Sequence, residues 1–250
     1  MEAERVALLT EVKKKKKDEA EIKRMMQHTF SIRRQEVLQE PAIPEFQNRW
    51  PALFDVSEIN LEFIRLTTVP LTSKFFGELD RLTDNLIKVF NTKGGAAGRK
   101  ITAIMAQMDN NEDINVRRDF VLSCLSIYLN EDLNTLVKEY VDTESREAEA
   151  DVAEKTVGIY TVRAEGRGPD GPGNGRFADV GVVLEGVKVL HNLQSVRHAC
   201  VMLYGLIYAL NLSYPKRLKR TFEVYQKILM DLDSTKLSPK VQALKIKLLQ

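Results

Sequence analysis

Three things are scarce in this 250-residue chain: long apolar runs, cysteine and any excess of one charge. The longest apolar stretch, Ala199–Leu212, is fourteen residues with Asn211 inside it. A bilayer-spanning helix needs about 20, so no membrane span is expected. From Ala199 to Leu210 every residue is apolar or Tyr except Gly205. A helix without a polar face belongs in the middle of a core. The two cysteines, Cys124 and Cys200, sit inside apolar helical patterns, which predicts buried thiols and excludes a disulfide framework. The opening Met1-Glu2-Ala3-Glu4-Arg5 is charged where a signal peptide would be apolar, so an intracellular compartment, cytoplasm or nucleus, is expected. With 37 basic and 35 acidic residues, the chain lacks the excess of a dedicated nucleic-acid binder, although local patches remain open.

Chemistry is scarce too. Zinc spacings of the Cys-x-x-Cys or His-x-x-x-His kind are missing, and so is the Gly-x-Ser-x-Gly elbow. His198 and Cys200, two apart on a helix, point to different faces. His191 and His198 share a face only if one helix contains both, and a structural histidine is the plainer expectation for each. Gly94–Lys100 (GGAAGRK) places glycines before a helix, where amides can face an anion. It lacks P-loop spacing and follows a helix where a P-loop follows a strand. A helix–helix turn with glycines at positive φ is the better expectation. The scattered glycines of Gly166–Gly175 carry even less of a phosphate signal. No catalytic residue, cofactor or metal ligand is therefore expected, and an enzyme is not.

What the chain does have is helical patterning. Residues 1–40 form a charged helical arm with Val6, Leu9 and Val12, then five lysines at Lys13–Lys17, then Ile22, Met25 and Met26; like charges fray the lysine run. Pro41 and Pro44 close the arm. Trp50, held extended by Pro51, is placed to anchor a turn. Asp55 with Glu58 has the form of a capping box, followed by Ile59, Phe63 and Leu66. Phe75, Leu79, Leu82, Leu86 and Val89 make a long stripe, and Val116–Tyr128 a broad apolar face. Asp132 caps a predicted short helix carrying Leu133, Leu136, Val137 and Tyr140.

The pattern then changes. Residues 156–162 and 179–185 alternate like strands and predict a small antiparallel hairpin whose Gly/Pro-rich tip, 165–177, is flexible. Val187–Leu193 fits either a strand or a helix. Ser195, Pro215 and Ser238-Pro239 mark the starts of three further helices. The expected fold is mainly α: a helical domain over 41–250 with one hairpin, preceded by the arm.

Several strings have a family look: Arg49–Leu71 (RWPALFDVSEIN followed by EFIRLTTVPL), Asp179–Leu193, Leu203–Pro215 and Thr221–Asp233. They resemble the C-terminal region of sterile alpha motif domain-containing protein 3-like proteins, a family expanded in teleost fish. Nothing here resembles the small five-helix sterile alpha motif domain, so the resemblance implies a short member or a fragment. It brings no catalytic motif and hence no site residues. Together with the helical patterning it implies a non-catalytic intracellular interaction module with a protein partner. The alternative is a nucleic-acid-associated protein using Lys13–Lys17 and Lys216–Arg220 (KRLKR), with Arg33-Arg34 as a lesser cluster. A charge run is more often a solvated face, and aromatic interleaving for base stacking is absent.

Overall fold

The computed structural model describes residues 2–108, 113–141, 146–163 and 177–249. Twelve described helices surround a four-stranded sheet. In chain order they are α1 (Glu2–Val12), α2 (Glu19–His28), α3 (Phe30–Val37), α4 (Ile43–Arg49), α5 (Val56–Thr67), α6 (Leu71–Asn91), α7 (Gly95–Met108), α8 (Ile114–Tyr128), β1 (Val137–Tyr140), α9 (Arg146–Ala153), β2 (Val157–Arg163), β3 (Phe177–Leu184), β4 (Val187–Leu190), α10 (Val196–Ala209), α11 (Lys219–Val224) and α12 (Pro239–Leu248). None is long and apolar enough to cross a membrane. The chain is mainly α, as its patterning predicts.

Helix α10 is the apolar run of the sequence, and it lies at the centre. Ala199–Ile207 are buried without a break, against α5 and α6 on one side and β2 and β3 on another. A fully buried Leu, Ile or Met contributes roughly 1.5–3 kcal/mol, so a helix with no polar face gains most where partners surround it. Gly205 sits where α5 and α6 meet it. A Cβ there would lie 2.6 Å from Leu71 Cδ2 and 2.7 Å from Ile59 Cγ2. Ser195 caps the helix by accepting from the His198 amide at 3.3 Å.

Residues 1–40, set apart in the sequence by their charge, form α1–α3. Their apolar residues Leu8, Met25, Met26 and Val37 enter the same core as α10. The lysine run is the turn between α1 and α2. Glu11 ties its two ends, accepting from Lys14 Nζ at 2.5 Å and from the Asp18 amide at 3.1 Å. Asp18 then caps α2 through the amides of Ala20 and Glu21. Pro44, read as part of a break, instead occupies the first turn of α4, where its missing N–H is not needed. Trp50 is buried, with its Nε1 donating to Glu36 Oε2 at 2.6 Å. Asp55 caps α5 through the Ser57 amide at 2.8 Å. Glu58 does not reach back as in a capping box; it is buried against Arg65 at 3.0 Å.

The predicted hairpin is β2 and β3, antiparallel with Ile159 opposite Val182. Two further strands extend it. Val187–Leu190, ambiguous in sequence, pairs antiparallel with β3. The predicted helix after Asp132 runs for only one 3-10 turn, Leu133–Thr135. The chain then leaves as β1, parallel to β2 with Val137 opposite Ile159. The open edge of β2 pairs with Val137–Tyr140, and strand propensity follows such context. Ile159, Val180, Val182 and Leu184 face the α10 core. Tyr160 and Val183 face the other way, into a small cluster with Tyr140, Ala148 and Val152 under α9. The expected flexible tip at 165–177 lies outside the described residues except for Phe177, which starts β3.

Candidate functional site

A cleft of about 700 Å³ opens where the C-terminal end of α10 meets α3, α5 and the turn before α11. Its geometry begins with Asn211, which takes the left-handed conformation at φ 54°. Asn tolerates that conformation at helix ends, and here it turns the chain out of α10. The Leu212 amide donates back to the Ile207 carbonyl at 2.9 Å. The Asn211–Tyr214 segment thereby forms one wall. Leu66, Ile207 and Leu212 give the cleft its apolar part, and Tyr208 and Tyr214 its rings. Tyr214 is fixed by donating its hydroxyl to Gln226 Oε1 at 2.8 Å. Burial raises the Tyr214 pKa above its ordinary value, and the neighbouring Tyr208 hydroxyl adds to this. Tyr214 therefore remains neutral.

The charged residues that line this cleft are of one sign. Arg34, Lys216 and Lys219 line it, and none of its lining residues is acidic. Arg34 donates one Nη1 bond to the Ala209 carbonyl at 2.7 Å, a favourable place for a cation at a helix C-terminus. A guanidinium has five donors, and this is the only hydrogen bond the Arg34 side chain makes among the described residues. Among the described residues no carboxylate lies within ion-pair distance of it. Burial pulls the Arg34 pKa below its ordinary value; Arg33 adds to this, and Glu62 opposes it. By contrast, Arg33 and Arg65 bind Glu62, Arg118 binds Asp80, and Arg197 binds Asp119.

The loop Asn211–Ser213 also borders a second, smaller cavity of about 310 Å³ on its far side. Val37, Ile43, Phe46 and Leu210 supply its apolar lining, and Glu40 and Glu185 its charge. Glu185 accepts from the Ile43 amide at 2.9 Å with one carboxylate oxygen. The two cavities thus carry opposite charge across a shared ridge.

The basic clusters read from sequence meet different fates. Lys13–Lys17 are exposed, with Lys14 paired to Glu11. The Arg33-Arg34 pair is divided: Arg33 is fully buried in an ion pair, and Arg34 faces the cleft. Of Lys216–Arg220, Lys216 and Lys219 line the cleft, Leu218 is buried, and Arg220 stands 3.8 Å from Glu131. Sequence reasoning found KRLKR as a charge run but could not join it to Arg34, about 180 residues earlier. The signal it lacked was the fold of α3 against α10.

The helix–helix turn expected over Gly94–Lys100 ends at Gly94, and Gly95–Lys100 already form the start of α7. Of the glycines there only Gly95 is at positive φ, 71°; a Cβ on Gly98 would overlap the Lys93 carbonyl, and one on Gly94 would meet nothing. Lys93 swings away to the Tyr128 carbonyl and the Asn130 side chain, both at 3.0 Å. Gly166–Gly175 lies outside the described residues. Cys124 and Cys200 are free and buried, and burial pushes each thiol up to about 12, far from a reactive thiolate.

His191 and His198 do not share a helix: His191 follows β4 and His198 lies in α10. Burial, then the neighbouring Arg197, holds the His198 pKa below 6.5, and its Nδ1 has no hydrogen-bond partner. The unfolded chain therefore binds a proton more readily than the native one, so stability rises with pH through this group. Its contribution is present above about pH 6.5 and is lost as pH falls through the folded value. Urea midpoints are expected to drop between pH 7.5 and 5.5 by more in the native chain than in His198→Leu. Equal drops would show that His198 does not carry the effect.

Residues 1–55 match the family model described as sterile alpha motif domain-containing protein 3, helical domain. Over that segment, about a fifth of the chain, it is similar to the sterile alpha motif domain-containing protein 3 helical domain. The matched segment supplies Arg34 to the cleft and Trp50 to the core beneath Arg33. The similar strings from Asp179 onward lie beyond the match. Searches of curated proteins and of solved structures found no match.

Proposed function

We propose that this protein is a non-catalytic intracellular interaction module whose binding surface is the basic cleft. One observation carries the reading: three cations without carboxylate partners surround an apolar floor, whereas the six other described arginines that are buried or half-buried are all ion-paired. Concave, partly apolar sites with a few convergent polar groups are where ligands bind. The chemistry around this cleft offers no nucleophile with a base beside it, so binding is the function it supports. A photo-crosslinking residue at Lys216 is expected to give protein adducts in cells that Arg34→Met reduces. Turnover of a nucleotide or ester that vanishes on one side-chain change in a folded variant would overturn the reading.

The second reading is nucleic-acid association. In its favour, Lys13–Lys17 and four residues of Lys216–Arg220 are exposed. Phosphate contacts are strongest at low salt, so this reading predicts oligonucleotide binding at about 50 mM salt that weakens steeply by about 200 mM. No binding at the lower salt removes it.

A further inference from the structure

We propose that the cleft and its smaller neighbour act together as one bipolar groove for an extended peptide segment. The segment would place an acidic side chain at Arg34, Lys216 and Lys219, an apolar residue over the Asn211–Ser213 ridge, and a basic side chain at Glu40 and Glu185. This inference rests on the interaction-module reading and gives it a ligand class.

The argument is charge complementarity on a continuous surface. Both cavities are lined by Asn211, Leu212 and Ser213, so a chain lying along that loop enters both. At one end three cations have no carboxylate among the groups that line the cavity with them. At the other end Glu40 makes no ion pair, and Glu185 uses one oxygen on the Ile43 amide, leaving the other for a cation. Leu66 and Ile207 on one side and Val37 and Phe46 on the other line the cavity walls with apolar surface. The ridge itself offers the exposed side chains of Asn211 and Ser213, which can satisfy peptide N–H and C=O groups.

The same arrangement disfavours a nucleic acid. A phosphate backbone binds by continuous positive charge along its track, and here the track passes from Arg34 to Glu40 and Glu185. Beyond the groove the chain has nearly balanced charge, +2 overall. A peptide with opposite charges at its two ends fits both halves.

The test is selection of a displayed random dodecapeptide library on the full chain, followed by binding of the selected synthetic peptides. Enriched peptides are expected to carry an acidic, then apolar, then basic order or its reverse. Lys216→Glu with Lys219→Glu, both exposed and distant from the core, is expected to weaken the selected peptide about tenfold or more. Glu40→Lys should weaken it too, and a peptide with the acidic residue changed to Lys should regain affinity for the double Glu variant. Thermal melting of each variant keeps folding separate from binding. Selected peptides with no charge order, or bound equally by the variants, would overturn the groove while leaving an interaction module elsewhere on the surface. No peptide binding, together with an oligonucleotide whose binding the double variant abolishes, would overturn both.

Discussion

Replacing Arg33 with Met is expected to cost about 3–5 kcal/mol of folding stability, the usual penalty for leaving one member of a buried ion pair alone. Arg33 and Glu62 have no exposed side-chain surface. The pair is bidentate, with Nε donating to Glu62 Oε1 at 2.7 Å and Nη2 to Oε2 at 2.6 Å. Further donors reach the Met26 carbonyl at 3.0 Å and Thr29 Oγ1 at 3.2 Å, and the guanidinium lies 5.3 Å from the Trp50 ring. Glu62 also accepts from Arg65 at 2.9 Å, and Arg65 in turn binds Glu58. Arg33→Lys should fail nearly as badly, because an ammonium cannot reproduce the planar fork. A chain with both Arg33→Leu and Glu62→Leu should lose less than either single change, since no charge is then left buried without its partner and Arg65 keeps Glu58. Urea unfolding of the four proteins decides the matter. A loss below about 1 kcal/mol for Arg33→Met would mean that water reaches the pair.

Gly181→Ala is expected to destabilise the sheet by about 3 kcal/mol, the upper part of the usual overpacking range. Gly181 is the point in β3 where the Tyr160 ring crosses the strand from β2. A Cβ there would overlap both that ring and the Leu190 carbonyl oxygen of β4. The ring is held in place by its hydroxyl, which donates to Asp179 Oδ2 at 2.9 Å, while Asp179 Oδ1 accepts from the Asn192 amide at 2.6 Å. One carboxylate thus ties β2, β3 and the end of β4. Combining Gly181→Ala with Tyr160→Ala should restore only part of the loss. The tyrosine overlap is removed, but the Leu190 carbonyl belongs to the backbone and cannot swing aside. Thermal melting of the single and double variants tests this, and full recovery in the double variant would show that the backbone contact is not limiting.

Helix existence and most helix starts follow from local rules. Asp55, Ser195 and Pro239 mark helix ends, and the stripe from Phe75 to Val89 is buried as its spacing requires. The hairpin was legible for the same reason, because alternation over seven residues is itself a strand signal. Glu58 and Val137–Tyr140 show where local reading stops. Both fit a helical context in sequence, yet Glu58 is drawn inward by Arg65 and Val137–Tyr140 by the open edge of β2. Arg65 lies two turns along the same helix, beyond the reach of a capping box, and β2 follows β1 only after α9.

The candidate site shows this most clearly. KRLKR and Arg33-Arg34 stood out as charge, but neighbouring residues in a charge run do not share a fate. Arg33 packs inward against Glu62, and Arg34, about 100° further around the helix, points to the end of α10. Composition and periodicity were enough to make α10 the central helix, because an apolar surface on every side leaves no other low-energy place for it. The cleft was not legible in that way. It exists because Asn211 turns the chain beside an arginine from α3, and the joining of those distant residues is a matter of packing that no local propensity encodes.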